Sequence, residues 1–315
     1  MKIIGTGSAL PRKVVTNDDL SAFLDTSDEW IFPRTGIRSR HVISDERLED
    51  LGADAALKAL ADAGLQPEDI DLFLCSNVVN EYLTPGLGCI IASKIGLKCP
   101  CMDLNCACPG FIYAMDVADS YFQAGKVENV LVVCAEEPTR MTSWQDRSTC
   151  VLFGDGAGAA VFTRGDGLKA VKLNAEPAPD KIWQYRALEP TPYVTKAETS
   201  VPLQMNGRDV FRFAVTTSIR DINGILASCG ITLEDVDYFM IHQANMRIVE
   251  GIRTRLGVSA EKFPCNIQDH GNSSSASCPI LLDECHRKGM FKRGDKLVFS
   301  AFGAGLLSAV ALLEW

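Results

Sequence analysis

Two groups of residues have the types and spacing that nucleophilic catalysis requires. The first surrounds Cys108, in the run Cys-Ala-Cys-Pro-Gly-Phe at residues 106–111. Pro109 has no backbone N–H and its fixed φ suits the first position of a helix, which predicts Cys108 as the capping residue. There the helix dipole and unpaired N–H groups favour a thiolate. Most of the twelve cysteines are best explained as small core residues. The helix position separates Cys108 from them, with Cys106 as its predicted neighbour in an extended strand.

The second group contains His242 and Asn272. His242 ends a predicted buried strand, a position where α/β enzymes place catalytic groups. Asn272 lies in the polar loop 269–275, and capping of the following helix is the competing interpretation of this residue and the neighbouring serines. A cysteine nucleophile with an imidazole and a carboxamide suits acyl transfer, in which an oxyanion must be stabilised. Cysteine proteases use the same residue types, so composition alone leaves both classes open.

Two other kinds of site are tested by spacing and context. The Cys-x-Cys pairs at 99–101 and 106–108 lack the spacers of two to four residues typical of zinc ligands, so we predict no metal site. Residues 154–159 match G-x-G-x-x-A after a predicted strand. A dinucleotide fingerprint must open a helix, however, and residues 159–163 predict a strand. The glycines at 154–158 therefore predict a tight hairpin with a close backbone approach.

Helices and strands alternate along the chain, which indicates an α/β fold. Periodicity predicts helices at 47–64, closed by Gly64, and at 109–125 and 210–230. Residues 177–202 contain several prolines and little periodicity, and they predict an irregular excursion that serves as a cap or flap. Short apolar runs predict buried strands at residues 70–77, 130–135, 151–153, 159–162, 238–242, 297–302 and 307–313.

The sequence also repeats itself at an offset of 166 residues. Two separate blocks match without a gap: Leu60, Ala61 and Gly64 with Leu226, Ala227 and Gly230, and Leu131, Val132 and Ala135 with Leu297, Val298 and Ala301. We therefore predict two α/β halves, 1–165 with Cys108 and 166–315 with His242 and Asn272. Ligand sites in such folds favour strand ends and the seam between units.

Composition excludes several classes of protein. The 315 residues are 47% hydrophobic and 23% charged, which argues against disorder and coiled coil. A net charge of −9 argues against binding to nucleic acid or to an anionic membrane. No apolar run approaches the roughly 18 residues that span a bilayer, so we expect no membrane insertion. Residues 1–5 are too short for a signal-peptide core, and the many cysteines then predict a reducing, cytoplasmic location.

Five motifs together resemble β-ketoacyl-acyl carrier protein synthase III, the initiating condensing enzyme of type II fatty-acid synthesis, within the thiolase superfamily. They lie in the family's order at residues 25–38, 105–111, 152–160, 242–245 and 270–277. The resemblance implies a thiolase-like fold with five α-β-α-β-α layers, which agrees with the repeat. It also implies a homodimeric acyltransferase that joins an acyl-CoA, acetyl-CoA or another short primer, to malonyl-acyl carrier protein. The products are β-ketoacyl-acyl carrier protein, CoA and CO₂, and no cofactor is required.

The resemblance assigns a role to each matched residue. Cys108 takes the acyl group, and His242 and Asn272 bind the malonyl thioester carbonyl and stabilise the enolate. The backbone N–H groups of Cys108 and Ala304 form the oxyanion hole. The residues implied to contact substrate are Trp30, Arg34, Arg147, Phe153 and Asn245. Those expected to dock the acidic carrier protein are Arg212, Arg247, Arg253 and Arg255, for which a solvated helix face is the competing interpretation.

Departures from the family pattern bear on substrate range. Residues 303–309 (Gly-Ala-Gly-Leu-Leu-Ser-Ala) stand where the family has a Thr-Trp-Gly run, which changes the floor of the pocket. Thr84 lies in the loop 80–86 that is expected to close the partner's acyl pocket, where enzymes restricted to acetyl primers can carry phenylalanine. A related condensing enzyme of secondary metabolism is the first alternative, and a catalytically silent scaffold is the alternative from another class.

Overall fold

Two β-sheets form the framework of the chain, in a computed structural model that describes residues 1–194 and 198–315. The strands are β1 (Lys2–Ala9), β2 (Lys13–Thr16), β3 (Ser39–Val42), β4 (Leu72–Ser76), β5 (Cys101–Leu104), β6 (Asn129–Glu136), β7 (Gly156–Thr163), β8 (Leu168–Ala175), β9 (Ile182–Tyr185), β10 (Val201–Met205), β11 (Tyr238–Ile241), β12 (Lys296–Gly303) and β13 (Leu307–Glu314). One sheet has the order β1-β7-β6-β4-β5 and the other β11-β12-β13-β8, while β2–β3 and β9–β10 form small pairs.

The helices connect and cover these sheets. They are α1 (Asn17–Ser21), α2 (Asp28–Thr35), α3 (Leu48–Ala63), α4 (Leu87–Ile95), α5 (Gly110–Gln123), α6 (Gly207–Cys229), α7 (Met246–Leu256), α8 (Ile267–His270) and α9 (Ser277–Arg287). The predicted helices at 47–64, 109–125 and 210–230 are confirmed as α3, α5 and α6. Gly64 and Gly230 end α3 and α6 with left-handed φ values of 69° and 66°, a conformation that glycine adopts without strain.

The two large sheets repeat one unit. In the first, β1 pairs antiparallel with β7, β7 antiparallel with β6, and β6 parallel with β4. In the second, β8, β13, β12 and β11 follow the same pairing scheme. Strand β8 lies 166 residues after β1 at both ends. The predicted duplication is confirmed, while the boundary between residues 165 and 166 stays a prediction.

Helices form three layers around the two sheets. Phe111 of α5 lies between them, with its ring centroid 6.3 Å from that of Phe162 in the first sheet and 5.9 Å from that of Phe299 in the second. Helices α5 and α9 pack in this central core, α3 and α4 cover the outer face of the first sheet, and α6 and α7 cover that of the second. This is the α-β-α-β-α arrangement that was expected.

The segment 151–158 differs from its prediction. Residues 151–152 form a turn and Phe153 makes only an isolated bridge to Asn272, because the Val151 carbonyl accepts from buried Arg40 and the Leu152 carbonyl accepts from the Asn272 backbone. The glycines do not form a hairpin, since β7 starts at Gly156. The close approach is confirmed: a Cβ at Gly158 would lie 2.7 Å from the Ile280 nitrogen. Glycine is therefore needed where β7 meets α9.

The excursion at 177–202, of which residues 195–197 lie outside the described part of the chain, has more order in its described residues than its composition predicts. Strands β9 and β10 pair antiparallel at its two ends, and their inner residues face a large cavity. Within the described parts of the chain, no helix is both long and apolar enough to cross a bilayer.

Candidate active site

A cavity of about 760 Å³ lies where loops from both halves meet under β9 and β10. Most residues singled out from the sequence line it, which is the arrangement expected at the seam of a duplicated α/β fold. These are Trp30, Arg34, Cys108, Arg147, Phe153, His242, Asn245, Arg247, Asn272 and Ala304. Thr84, Arg212, Arg253 and Arg255 lie outside the cavity.

Cys108 is positioned by the turn that leads into α5. Ala107 has a left-handed φ of 49°, so the chain bends here, and the predicted extended strand through Cys106 is wrong. The capping residue of α5 is Pro109 and not Cys108, so the helix begins one residue later than expected. Gly110 lets the helix approach β4, because a Cβ there would lie 1.9 Å from the Ser76 hydroxyl oxygen. These features hold the thiol at the base of the cavity.

Burial dominates the chemistry of the Cys108 thiol. It raises the pKa of Cys108 to about 12, against the smaller lowering effect of the Ser274 hydroxyl. The nearby Glu136 carboxylate raises this pKa further. The Cys108 side chain is therefore a neutral thiol at rest, and the thiolate expected at the helix N-terminus is not its resting form.

His242 follows β11 and is buried beside the cavity. Its Nδ1 lies 2.6 Å from the Ser277 hydroxyl oxygen, which also accepts the Gln243 N–H at 3.3 Å. The Phe302 ring contacts the imidazole edge-on, with centroids 5.4 Å apart. Burial lowers the pKa of His242 to about 3, so the imidazole is neutral at pH 7. With Nδ1 engaged by Ser277, Nε2 is the ring nitrogen left for a ligand.

Asn272 presents its amide group to the same cavity. Its side-chain oxygen accepts the Ser274 N–H at 2.9 Å, which identifies the oxygen end of the amide and leaves the nitrogen as a donor. Its backbone N–H donates to the Leu152 carbonyl, beside Phe153. Asn272 does not cap α9 itself, which begins at Ser277 without a side-chain cap; its oxygen instead holds the first N–H of the 3₁₀ turn Ser274–Ala276 that leads into α9.

The turn after β12 brings a second backbone segment to Cys108. A Cβ at Gly303 would lie 3.0 Å from the Cys108 nitrogen, so glycine is required for this approach. Ala304 follows Gly303 and lines the cavity. The backbones of Cys108 and Ala304 are therefore brought together at one wall, as an oxyanion hole would require.

Two guanidinium groups lie against the Trp30 ring on the cavity wall. The Arg34 and Arg147 guanidinium carbons lie 4.9 Å and 5.0 Å from the ring centroid. Arg147 also pairs with the Asp25 carboxylate at 2.9 Å. Asn245 is less available: its amide caps α7 through the Arg247 N–H and donates to the Arg34 carbonyl. Planar guanidinium and indole groups at a cavity wall are surfaces on which a planar aromatic group can stack.

The four expected docking arginines differ in availability. Arg247 and Arg255 are exposed on α7, and Arg212 is exposed on α6. Arg212 and Arg255 line one groove with Phe211, a residue that also lines the main cavity. Arg253 is paired with Glu250, at 2.7 Å, and with the Val258 carbonyl. Its charge is therefore already balanced within the chain.

Sequence reasoning missed a polar cluster behind Cys108. It consists of Glu136, at the end of β6, with Ser274 and Ser275 from the loop that holds Asn272. Ser277, which holds His242, was also missed. The sequence signal was the group of serines at 273–275 and 277 beside Asn272, but serines before a helix are equally typical of capping.

Comparisons with known proteins give a consistent result. Residues 102–177 match a family described as 3-oxoacyl-[acyl-carrier-protein (ACP)] synthase III, and residues 226–315 match its C-terminal family. The beta-ketoacyl-[acyl-carrier-protein] synthase III of Clostridium acetobutylicum is 42% identical over 320 residues, covering 100% of this chain and 98% of that relative.

Solved structures agree with these matches. The 3-oxoacyl-[acyl-carrier-protein] synthase III of Aquifex aeolicus has a TM-score of 0.92 and 38% identity, covering 100% of this chain and 99% of its own. The priming β-ketosynthase of the R1128 polyketide pathway has a TM-score of 0.93 and 35% identity, covering 99% and 95%.

The duplicated α/β fold and its cavity define the class of protein, a condensing acyltransferase with a thiolase-like fold. Within that class, the chain belongs to the β-ketoacyl-acyl carrier protein synthase III family, which is also named 3-oxoacyl-acyl carrier protein synthase III. The family, fold class and enzyme class expected from the sequence are confirmed.

Proposed function

We propose that this enzyme condenses an acyl-CoA with malonyl-acyl carrier protein through an acyl intermediate on Cys108. The products are β-ketoacyl-acyl carrier protein, CoA and CO₂. The observation that carries the proposal is the convergence of Cys108, His242 and Asn272 on one cavity. Acyl-CoA is a substrate, and the proposed reaction uses no metal or bound cofactor. The twelve free thiols suit the cytoplasmic location that we also propose.

The first half-reaction loads the nucleophile. The planar end of CoA stacks against Trp30, and the neighbouring Arg34 and Arg147 attract its phosphates. The thioester then reaches Cys108, whose sulfur attacks the acyl carbon. The backbone N–H groups of Cys108 and Ala304 stabilise the oxyanion, and CoA leaves as its thiol.

The second half-reaction uses two uncharged donors. His242 Nε2 and the Asn272 amide nitrogen hold the malonyl thioester carbonyl and stabilise the enolate that forms as CO₂ leaves. The Phe153 and Phe302 rings line the same space, which disfavours the malonyl carboxylate and favours neutral CO₂. The enolate carbon then attacks the acyl group on Cys108.

The direct test is incubation of the purified enzyme with acetyl-CoA and malonyl-acyl carrier protein. Mass spectrometry of the intact protein should show one added acetyl group, and adding the carrier protein should convert it to acetoacetyl-acyl carrier protein. An enzyme that neither takes up acetyl groups nor forms this product would contradict the proposal and would favour the scaffold alternative.

A second candidate function is priming of a polyketide, which the 35% identity to the R1128 priming ketosynthase favours. The residues at the cavity suit either role, because both use a cysteine thioester and a malonyl acceptor. A panel of carrier proteins separates the two: efficient turnover only with a polyketide carrier protein would support the second candidate.

We also propose that the enzyme is a homodimer. Strand β5 is at the edge of the first sheet, and the nearby loop 80–86 exposes 89% of the Leu83 surface. An exposed edge strand and an exposed apolar side chain are typical of surfaces covered by a partner. In the dimer, Thr84 of one copy would close the acyl pocket of the other.

Primer length is predicted from Thr84. Threonine leaves out most of the volume of a phenylalanine ring, and Leu306 packs in the core beneath the second sheet instead of filling the space. Each extra methylene buried is worth about 0.8 kcal/mol, enough to favour longer primers several-fold. We expect butyryl-CoA to load Cys108 alongside acetyl-CoA, and Thr84→Phe to narrow the range to acetyl. Mass shifts of the intact protein measure both, with Thr84→Ser as the control that retains the wild-type range. A wild-type enzyme that rejects every donor of four or more carbons would refute the argument.

Docking of the carrier protein is predicted to depend on Arg247 and Arg255. Both side chains are exposed. Their positive charge attracts an acidic partner during diffusional encounter, although the net charge of the chain is −9. Reversal of both to glutamate should raise the KM for malonyl-acyl carrier protein at least tenfold, and high salt should weaken the wild type similarly. Arg253→Gln is the matched control on the same helix, because Glu250 already neutralises that charge. Unchanged kinetics after the double reversal would remove this face from the proposal.

A further inference from the structure

A buried glutamate lies directly behind the nucleophile. Glu136 ends β6 and is 1% exposed. Its Oε1 accepts from the Ser275 hydroxyl at 2.5 Å and from the Ser274 hydroxyl at 3.2 Å, and its Oε2 accepts the Val78 N–H at 3.0 Å. No role of Glu136 follows from the two half-reactions as described above.

Ser274 connects this carboxylate to the reacting sulfur. Its hydroxyl oxygen lies 3.6 Å from the Cys108 sulfur and 3.2 Å from Glu136, on a residue with a left-handed φ of 53°. A hydroxyl has one hydrogen and can also accept. When Ser274 donates to Glu136, its oxygen is free to accept the thiol hydrogen of Cys108. The three groups then form a continuous path for one proton.

We infer that Ser274 and Glu136 form a proton relay that takes the thiol proton of Cys108 during acyl loading and holds it on the carboxylate. The Cys108 proton moves to the Ser274 oxygen while the Ser274 proton moves to Glu136. The sulfur forms its bond to the acyl carbon, the bond from that carbon to the CoA sulfur breaks, and the relay returns the proton to the CoA sulfur. The inference rests on the proposed function only for the identity of the acyl donor.

Charge explains why the proton should stay inside the protein. Loss of the thiol proton to water would leave two buried anions, Cys108 and Glu136, within the same polar cluster. Transfer to Glu136 keeps the number of buried negative charges at one, which avoids the cost of a second unpaired ion. The carboxylate therefore promotes thiol attack only as the receiver of the proton.

Among the groups near the thiol, Glu136 is a better receiver than His242. Burial raises the pKa of Glu136 to about 7 and lowers that of His242 to about 3. The other titratable groups that face Glu136 are the Cys75 and Cys134 thiols, with Cys278 beyond them, and burial raises the pKa of each thiol so that it stays neutral. Glu136 is thus ionised above pH 7 and protonated below it.

The test is the pH dependence of Cys108 alkylation by iodoacetamide, followed by mass spectrometry of the peptide that contains Cys108. The wild-type rate should fall as pH drops through about 7, because protonated Glu136 cannot receive a proton. Glu136→Gln should lose this inflection and react about 10²-fold more slowly at pH 7.5, on the scale of general base catalysis. Ser274→Ala should do the same with Glu136 intact.

Glu137→Gln is the matched control. Burial also raises the pKa of Glu137 to about 7, but its carboxylate pairs with Arg140 and not with the serines. It should keep the wild-type profile. A Glu136→Gln profile that matches the wild type would overturn the relay. Acetylation by acetyl-CoA, measured in parallel, tests the proposed function separately: no acetylation with an intact inflection would reject the function and support the relay.

Discussion

Replacement of Cys108 with serine is expected to abolish acylation of the enzyme. A serine hydroxyl is a much weaker nucleophile than a thiol at its ordinary pKa, and the imidazole nearby has a pKa of about 3 and cannot activate it strongly. The loss in turnover should approach about 10⁶-fold, the scale on which removal of a covalent nucleophile acts. Acetyl-CoA incubation followed by mass spectrometry of the intact protein measures the effect.

Cys106→Ser provides the matched control for this replacement. Cys106 lies two residues away and is half-buried, and burial raises its pKa as well. The bend at Ala107 separates the two side chains. The control should retain acetylation, and the acetylated peptide of the wild type should be modified at Cys108. Acetylation that persists in Cys108→Ser, or that maps to Cys106, would remove Cys108 from the proposed mechanism.

Local pattern was sufficient to predict the framework of the molecule. Gly64 and Gly230 cap the C-terminal ends of helices α3 and α6. In the sequence each glycine directly follows a segment with helical spacing of apolar residues, which is the pattern that predicts a helix end. The buried strands β4 and β6 are short continuous apolar runs, and in an α/β chain such runs are typical of strands that are buried on both faces. The offset of 166 residues then related the two halves without any knowledge of their pairing.

Contacts between distant segments account for the errors. The apolar residues 151–153 resemble a strand, yet the carbonyls of residues 151 and 152 accept from Arg40 and Asn272, which lie more than 100 residues away in sequence. The glycines at 154–158 suggest a hairpin. Their actual cause is the approach of His270 and α9, because a Cβ at Gly154 would lie 2.1 Å from the His270 carbonyl oxygen. Local propensity contains no information about either neighbour.

The same limit applies to the protonation of the site. A cysteine before a helix predicts a thiolate, but burial of the Cys108 thiol opposes its ionisation. That burial depends on the second half of the chain, which places Ser274 beside the thiol. Glu136 is the last residue of the apolar strand β6, and in the sequence it resembles an ordinary strand end. Its importance is visible only when the loop 273–277 is placed beside it.

His242 and Asn272 are expected to divide the reaction unequally. Burial keeps the His242 imidazole neutral, so both residues act as uncharged donors to the enolate oxygen. Loss of one preorganised donor to an oxyanion costs roughly 10²–10³ in rate. The loading step instead uses backbone N–H groups for its oxyanion. The two residues should therefore matter more for the malonyl substrate than for the acyl donor.

His242→Ala and Asn272→Ala should each slow decarboxylation of malonyl-acyl carrier protein by roughly 10²–10³, while loading of Cys108 from acetyl-CoA falls much less, above all in Asn272→Ala. Asn272→Asp retains the oxygen that accepts the Ser274 N–H but replaces the N–H donor with a carboxylate that repels the enolate, so it separates loop anchoring from enolate stabilisation. It should lose decarboxylation with normal loading. Release of CO₂ and acetylation of the intact protein are measured on the same samples. Equal losses in both half-reactions for His242→Ala and Asn272→Ala would contradict this division, because they would indicate a common role in holding the cavity and not a specific role at the enolate.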